Sequence, residues 1–403
     1  MHTASDSHSN PFRCARSRPA KISILRRTTI MLHETDVAVI GGGLVGIAIA
    51  YGLANQKVSS IVLDEGDGAI RASRGNFGLV WVQGKGLLLK EYTPWAMKAA
   101  EYWPELAERL MSETSIDVGL MQTGGLFFCK TPEALAQRVA DMAQVKAQFG
   151  GEYNYDILDN AGVRKMVPEI GHTIAGASYS DYDGQANPIR LLRAFHRAYG
   201  ALGGTYLANN GVLGIRHVEG KFEVRTTDGI VRAQRIVLSA GLGNVKLGDM
   251  LGVEIPIRPM RGQIMVTERL PQMFGLAMEQ VRQTDDGTLL IGTSWEDVGF
   301  DLSTTDETSR RIANDAIDFF PFLADVKIIR TWAALRILSP DASPIYDELV
   351  PGAFLVTCHS GVSLAAIHAF ESAKWIVEGA VPQSMEAFGL KRFAKTKRPQ
   401  LVA

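Results

Sequence analysis

Six residues early in the chain are of the kind that hold phosphate. Gly41-Gly42-Gly43-Leu44-Val45-Gly46 fits the spacing G-x-G-x-x-G. Gly41 permits a tight turn, Gly43 lets backbone approach a pyrophosphate, and Gly46 lets a helix pack closely on a strand. A helix opening there offers free N–H groups and partial positive charge to phosphate oxygens. Asp64 closes the next apolar run, where a carboxylate can accept hydrogen bonds from both hydroxyls of a ribose. The glycines alone do not separate one dinucleotide from another. The segment Arg71-Ala72-Ser73-Arg74-Gly75-Asn76-Phe77-Gly78-Leu79-Val80-Trp81 adds to them. It is small, polar and poor in core pattern, so it can wrap a long extended ligand, with Ser73 near phosphate and Asn76 and Gly78 near a ring. The plainer reading is an ordinary loop.

Further along stand residues suited to a substrate. Arg336 offers a planar, permanently charged fork that matches a carboxylate. Its plainer reading is an ion pair with a neighbour such as Asp341. His359 either hydrogen-bonds a ligand or caps the helix that follows, and Gly361 permits close approach there. Lys85 sits in a glycine-rich turn and reads first as a solvated lysine, second as a charge facing an acidic substrate or influencing oxygen reactivity. Arg282 is a second possible site charge. Gln83 is a possible substrate contact, while Trp81 and Trp332 read as core, with Trp81 alternatively beside a cofactor ring.

These residues need elements to hold them. Asp36 to Ile40, Leu44 to Asn55 and Ser60 to Leu63 read as strand, helix and strand, the βαβ unit that the glycine motif requires. Helical patterns run from Pro94 to Leu110, with a kink or break expected at Pro104, and from Thr131-Pro132 to Gly150-Gly151. Another runs from Asn187-Pro188 to Gly203-Gly204. Strands follow at Phe222 to Arg225 and Val231 to Leu238 around an Asp228-Gly229 turn, and at Gly287 to Thr293. A helix spans Glu307 to Phe319, and the last runs from about Ser363 to Glu378. Interleaved antiparallel strands in an α/β order imply that one domain is inserted in the other.

Composition bounds the rest. The 403 residues are 46% apolar and 21% charged, with a formal net charge of -1, which speaks against nucleic acid or an anionic membrane surface as partner. No apolar run reaches the roughly 18 residues of a membrane span. Cys14, Cys129 and Cys358 are few, separate and odd in number, so no disulfide framework or cluster spacing follows, and a cytoplasmic location is expected. Residues 1–33 carry six basic residues (Arg13, Arg16, Arg18, Lys21, Arg26 and Arg27) and no apolar period, and read as a disordered or misassigned extension preceding the core.

Taken in order, these motifs resemble the D-amino acid oxidase-like (DAO) family of FAD-dependent oxidoreductases, over about Asp36 to Phe393. Besides Gly41–Gly46 with Asp64 and the Arg71–Gly78 segment, the resemblance rests on four later motifs. These are Val237-Leu238-Ser239-Ala240-Gly241, Pro259-x-Arg261-Gly262-Gln263, Trp332-x-x-Leu335-Arg336 with Asp341 and Pro344-Ile345, and His359-Ser360-Gly361-Val362-Ser363. Arg392-Phe393 matches the usual ending. The Asn76–Gly86 stretch with Cys358–Val362 looks closest to the β subunits of opine oxidases, near those of hydroxyproline dehydrogenases and near glycine and sarcosine oxidase.

The resemblance implies a Rossmann-type FAD-binding domain, discontinuous over 34–90, 160–245 and 335–393, and an inserted antiparallel-sheet substrate domain over 91–159 and 246–334, with a tail at 394–403. Expected FAD neighbours are Gly41, Gly43, Leu44, Val45, Gly46, Asp64 and Glu65. The wrapping segment adds Arg71, Ala72, Ser73, Asn76, Phe77, Gly78 and Leu79. Val212, Ala240, Gly241, Arg336 and the run His359, Ser360, Gly361, Val362 and Ser363 complete them, with Arg336 and His359 as catalytic candidates. No histidine or cysteine stands in the Arg71–Gly78 segment, so noncovalent FAD is expected. The implied reaction is hydride transfer from the carbon bearing nitrogen to the flavin of FAD, giving an imine that hydrolyses. Such chemistry is carried by the cofactor and needs no acid–base dyad if the bound amine is neutral. The substrate is a small amine, amino acid or opine. A larger subunit and an iron–sulfur protein are implied as partners. Relatives carry an arginine in the loop opening the last helix and a tyrosine near Arg282-Gln283-Thr284, and this chain has neither. A 2-hydroxy acid dehydrogenase and a noncatalytic FAD subunit are the alternatives.

Overall fold

The computed structural model describes residues 31–66, 71–292 and 294–394. The expected extension and tail lie outside these residues, apart from 31–33 and Ala394. Residues 31–33 are not part of an extension. Strand β1 is Met31–Ile40, and Met31 to His33 pair in parallel with Gly229 to Val231. Helix α1 (Leu44–Asn55) and strand β2 (Ser60–Leu63) follow, with Val37 opposite Ser60 and Ile40 opposite Leu63. The main sheet continues from β2 to Thr205–Leu207 on one side. On the other it runs from β1 to Gly229–Leu238, Ala353–Thr357 and Ile345–Val350. Only the last of these pairs is antiparallel. Helix α1 is apolar nearly all round because it is covered nearly all round. Ile47, Ala48, Ile49, Tyr51 and Leu53 are wholly buried, in one cluster with Leu191, Phe195 and Ala198 of the Pro188–Ala201 helix and Ala369 and Ala373 of the last helix.

Two four-stranded sheets make the second body. One orders Ala277–Met278, Gly125–Cys129, Gly176–Ser180 and Asp156–Asp159. The other orders Val281–Gln283, Thr288–Ile291, Arg258–Arg269 and Ile328–Leu338. Residues 176–180, expected in the cofactor domain, pair instead with Gly125–Cys129, so that boundary falls later in the chain. Leu126, Phe128, Met278, Leu289, Ile291, Ile312 and Phe320 form the core between them.

The caps at Thr131 and Asn187 form where the sequence placed them. Thr131 caps the Pro132–Gln148 helix by accepting from Ala134 N–H at 3.2 Å, and Asn187 accepts from Ile189 and Arg190 N–H at 3.1 Å each. The Asp306–Phe319 helix is capped by Thr305. Pro104 neither breaks nor ends its helix, which runs Tyr92–Thr114. The carbonyl left without its helical donor, that of Ala100, accepts instead from Gln122 Nε2 at 2.9 Å. The last helix opens at Ala365, after the predicted start, and passes through a π turn at His368–Ser372 before ending at Glu378.

Candidate functional site

A cavity of about 550 Å³ opens at the carboxyl ends of β1 and β2, the crevice where doubly wound sheets bind ligands. The glycine turn forms one wall. Gly41 has φ +109°, and a Cβ there would lie 2.6 Å from Ala240 Cα. A Cβ on Gly46 would lie 1.9 Å from the Gly41 carbonyl oxygen, so only glycine lets α1 start this close to β1. Asp64 Oδ2 accepts from Gly42 N–H at 2.8 Å and Oδ1 from Gly66 N–H at 2.8 Å. A carboxylate has about four lone-pair sites, so two remain for ribose hydroxyls. Ser73 Oγ accepts from Leu44 N–H at 3.0 Å, which puts a hydroxyl and a helix N-terminus together where a pyrophosphate needs donors. Tyr206, Ala240, Gly241 and Val212 continue the lining, and Cys358, His359 and Gly361 close its far end. The cavity is long, glycine-walled and acid-terminated, and its residues fit FAD.

Most residues expected around FAD line this cavity: Gly41, Gly43, Leu44, Val45, Asp64, Glu65, Arg71, Ala72, Ser73, Asn76, Val212, Ala240, Gly241, His359 and Gly361. Others stand behind its wall. Gly46 packs α1 on the turn. Phe77 packs instead on Ile264 and Leu290. Gly78 passes between Ala186 and the buried Arg282, which stands outside the cavity lining. Leu79 pairs with Gln185, and its carbonyl accepts from Ser363 Oγ at 3.0 Å. Val362 is core. Phe300 and Leu302 line the cavity unannounced by any sequence signal.

Arg336 and Ser360 lie beyond the cavity, on the side of the second body. Arg336 does not pair with Asp341, which is taken by Arg392 at 2.8 and 3.1 Å. Its Nη1 donates to the carbonyls of Ser294, at 2.8 Å, and Arg261, at 3.1 Å. It lies across the neighbouring strand, and a Cβ on Gly262 would fall 2.2 Å from Nη1. The guanidinium carbon sits 4.3 Å from the Trp295 ring centre, a cation–π contact, and the Trp295 and His359 rings are 5.8 Å apart. Burial pushes Arg336 down to about 10, with Glu279 and Glu296 opposing, so it stays charged at neutral pH. His359 is held well below its ordinary value by burial and then by Lys85 and Arg336, so its imidazole is neutral.

Glu296 steadies this corner. Burial works against its charge, but hydrogen bonds from Arg261, Ser294, Gln263 and Thr308 hold it at about 2. Lys85 is not a solvated turn residue. It is half-buried, donates to Ser360 Oγ at 3.0 Å and lies 5.6 Å from the Tyr92 ring centre. Gln83 is committed elsewhere, donating to Gly125 O at 3.0 Å and accepting from Arg138 and Ser178. Trp81 is buried against Gly125, and its backbone N–H donates to Ser363 Oγ at 3.0 Å. Glu279, which no sequence pattern marked, faces Arg336, Arg138 and Lys85. Cys129 and Cys358 are free and buried. Among the described residues no cluster of three metal-ligating side chains occurs, and no helix is long and apolar enough to cross a membrane.

Comparison with known proteins agrees with this geometry. The family profile for FAD dependent oxidoreductases (DAO) matches residues 36–378. The chain is 39% identical to an opine oxidase subunit of Agrobacterium tumefaciens over 365 residues, 90% of this chain and 98% of that protein. It is 28% identical to glycine oxidase of Pseudomonas putida, over 83% of this chain and 89% of that one. Among solved structures, glycine oxidase of Geobacillus kaustophilus superposes with a TM-score of 0.80 at 22% identity, covering 92% of this chain and 100% of the other.

Proposed function

The chain belongs to the DAO family of FAD-dependent oxidoreductases, and from that premise we propose that it oxidises a C–N bond of an amino acid, an N-substituted amino acid or an opine. Bound FAD supplies the acceptor for the substrate's hydride. Gly41, Gly43 and Asp64 would hold its adenosine and pyrophosphate part, with Ser73 donating, and Gly46 lets α1 close on the turn that supports them. Ala240, Gly241, His359 and Gly361 would hold the part that reacts. In this reading FAD is noncovalently held, which is supported by the Cys358 thiol of the cavity lining being pushed up by burial to about 12, away from its reactive thiolate form.

The observation that carries the reading is Arg336, a desolvated, charged guanidinium one ring pair away from the cavity. Two donors serve backbone carbonyls, and the outer edge is left for a substrate carboxylate, which a guanidinium grips bidentately. That grip turns the substrate's nitrogen-bearing carbon toward the cavity. His359, neutral, orients the substrate and carries no net charge. The product is an imine, which water splits to a 2-oxo acid and an amine. Relatives named as subunits of opine oxidase and of hydrogen cyanide synthase support a heteromeric assembly. In this reading an iron–sulfur group comes from a partner, since the chain's cysteines are not clustered. The test is product analysis with an artificial electron acceptor: one 2-oxo acid and one amine per substrate consumed support the reading, and a 2-oxo acid formed from a hydroxy acid, with no amine released, contradicts it.

A further inference from the structure

Two cations from distant segments approach the His359–Trp295 ring pair beyond the flavin end of the cavity, and one carboxylate lies close enough for its charge to act on both. Lys85 reaches Ser360, Ser360 follows His359, the His359 ring lies against Trp295, and Trp295 carries Arg336 on its face. Glu279 looks onto this corner. Its backbone N–H donates to Leu126 O at 3.2 Å, and it lines a second cavity, of about 540 Å³, that Trp295 also lines. Trp295 is therefore a wall common to that cavity and to the face of His359.

None of these charges is used up by the fold. Lys85 has three N–H donors and commits one, to a hydroxyl and not to a carboxylate. Arg336 commits Nη1 to two carbonyls. The Glu279 carboxyl has no hydrogen-bond partner among the described residues. Burial pushes it up, and the charges of Arg336, Arg138 and Lys85 pull it back. A half-buried acid with no donor of its own, beside cations that likewise lack an ion-pair partner, is costly in a site with no ligand to complete it.

We propose that Lys85, Glu279 and Arg336 form one substrate seat for a secondary amine flanked by two carboxylates, resting on the C–N oxidation reading above. Arg336 takes the carboxylate beside the carbon to be oxidised, and Lys85 takes the second. Glu279 pairs with the ammonium between them. Two cations and one carboxylate carry +1, and such a substrate, two carboxylates and one ammonium, carries -1, so the charges close. Glu279 also receives the ammonium proton: the N–H bond breaks, an O–H bond forms on the carboxylate, and nitrogen keeps the lone pair that C–H oxidation requires. A monocarboxylate such as sarcosine leaves Lys85 without a partner.

The experiment compares iminodiacetate with sarcosine, which share a secondary amine and differ by one carboxylate. Anaerobic flavin absorbance of the FAD-loaded protein is followed with wild type, Lys85→Met, Lys85→Arg and Glu279→Gln. Wild type should bind iminodiacetate about 10- to 100-fold more tightly, the worth of one charge-assisted hydrogen bond. K85M should erase the preference and K85R should restore much of it, which separates lost charge from lost folding. A wild-type ratio near one, or a K85M ratio equal to that of wild type, overturns the proposal. Thiodiacetate and methylthioacetate, which have no nitrogen to oxidise, give the same ratio from the absorbance shift alone. E279Q should weaken iminodiacetate and tighten thiodiacetate, and a change of the same sign for both overturns the role given to Glu279. If no amine bleaches the flavin, the C–N reading fails, while the thioether pair still decides the seat.

Discussion

The cradle at Gly41–Gly46 and the charged corner at Arg336 are built by different means. The cradle is backbone. Its contacts are N–H groups, a helix end and close approach, and its one essential carboxylate, Asp64, is fixed by two N–H bonds of 2.8 Å. The corner is side chain. Lys85, Glu279, Trp295, Arg336 and His359 come from five separate segments, and the four that titrate depend on burial and on their neighbours for their charge states. A backbone site constrains which residues fit, and a side-chain site constrains what surrounds them.

The largest effect should come from breaking the cradle. Gly46→Ala places a methyl group 1.9 Å from the Gly41 oxygen, and the helix has no room to retreat from the strand. The variant should purify without flavin absorbance. Retained FAD would show that close packing there is dispensable. Next is the corner's support. Glu296→Ala leaves Arg261, its side chain 4% exposed, with Asp301 as its remaining ion-pair partner and Ser303 as a neutral acceptor, and should cost about 3 kcal/mol in denaturant unfolding. The folded fraction should keep its FAD, so that damage stays on one side of the comparison. Arg336→Met should lower kcat/KM about 100-fold with FAD content unchanged, and Arg336→Lys should recover only part, because an ammonium cannot grip bidentately.

The smallest effects are in pH, and the regions should differ in sign. His368, in the last helix beside the cradle, is pushed by burial to about 3. Its native form is neutral, so the stability it contributes is present above about 6.5 and is lost as pH falls toward 3, with one proton taken up on unfolding. Asp183, which accepts from Val82 N–H at 2.5 Å on the substrate side, is raised by burial to about 7. Its contribution is present in acid and is lost as pH rises through 7. Denaturant titrations of His368→Gln and Asp183→Asn across pH should flatten opposite limbs of the stability curve, and the same limb in both would remove the distinction.

The same contrast explains what is legible in the sequence. The βαβ unit and its glycine motif are contiguous, and each glycine answers a local demand, so the spacing carries the geometry. Arg336 is legible through its motif, but the reason for Gly262 is not, since it lies in the register between two strands. Lys85 reads as a solvated lysine because lysines are mostly exposed, and nothing local reveals that Ser360 comes to meet it. Glu279 gives no signal beyond a single acid after Ala277-Met278. Pro104 reads as a break because its remedy, Gln122, lies on the next segment. Phe77 follows a cofactor motif in sequence yet turns into the second body's packing.

Anaerobic flavin absorbance of the wild-type protein, titrated singly with amino acids, secondary-amine dicarboxylates and 2-hydroxy acids, tests the central claim most directly. Bleaching by amine substrates, with hydroxy acids inert, is the predicted result. Bleaching by hydroxy acids alone, or firmly bound FAD that no amine reduces, would contradict it.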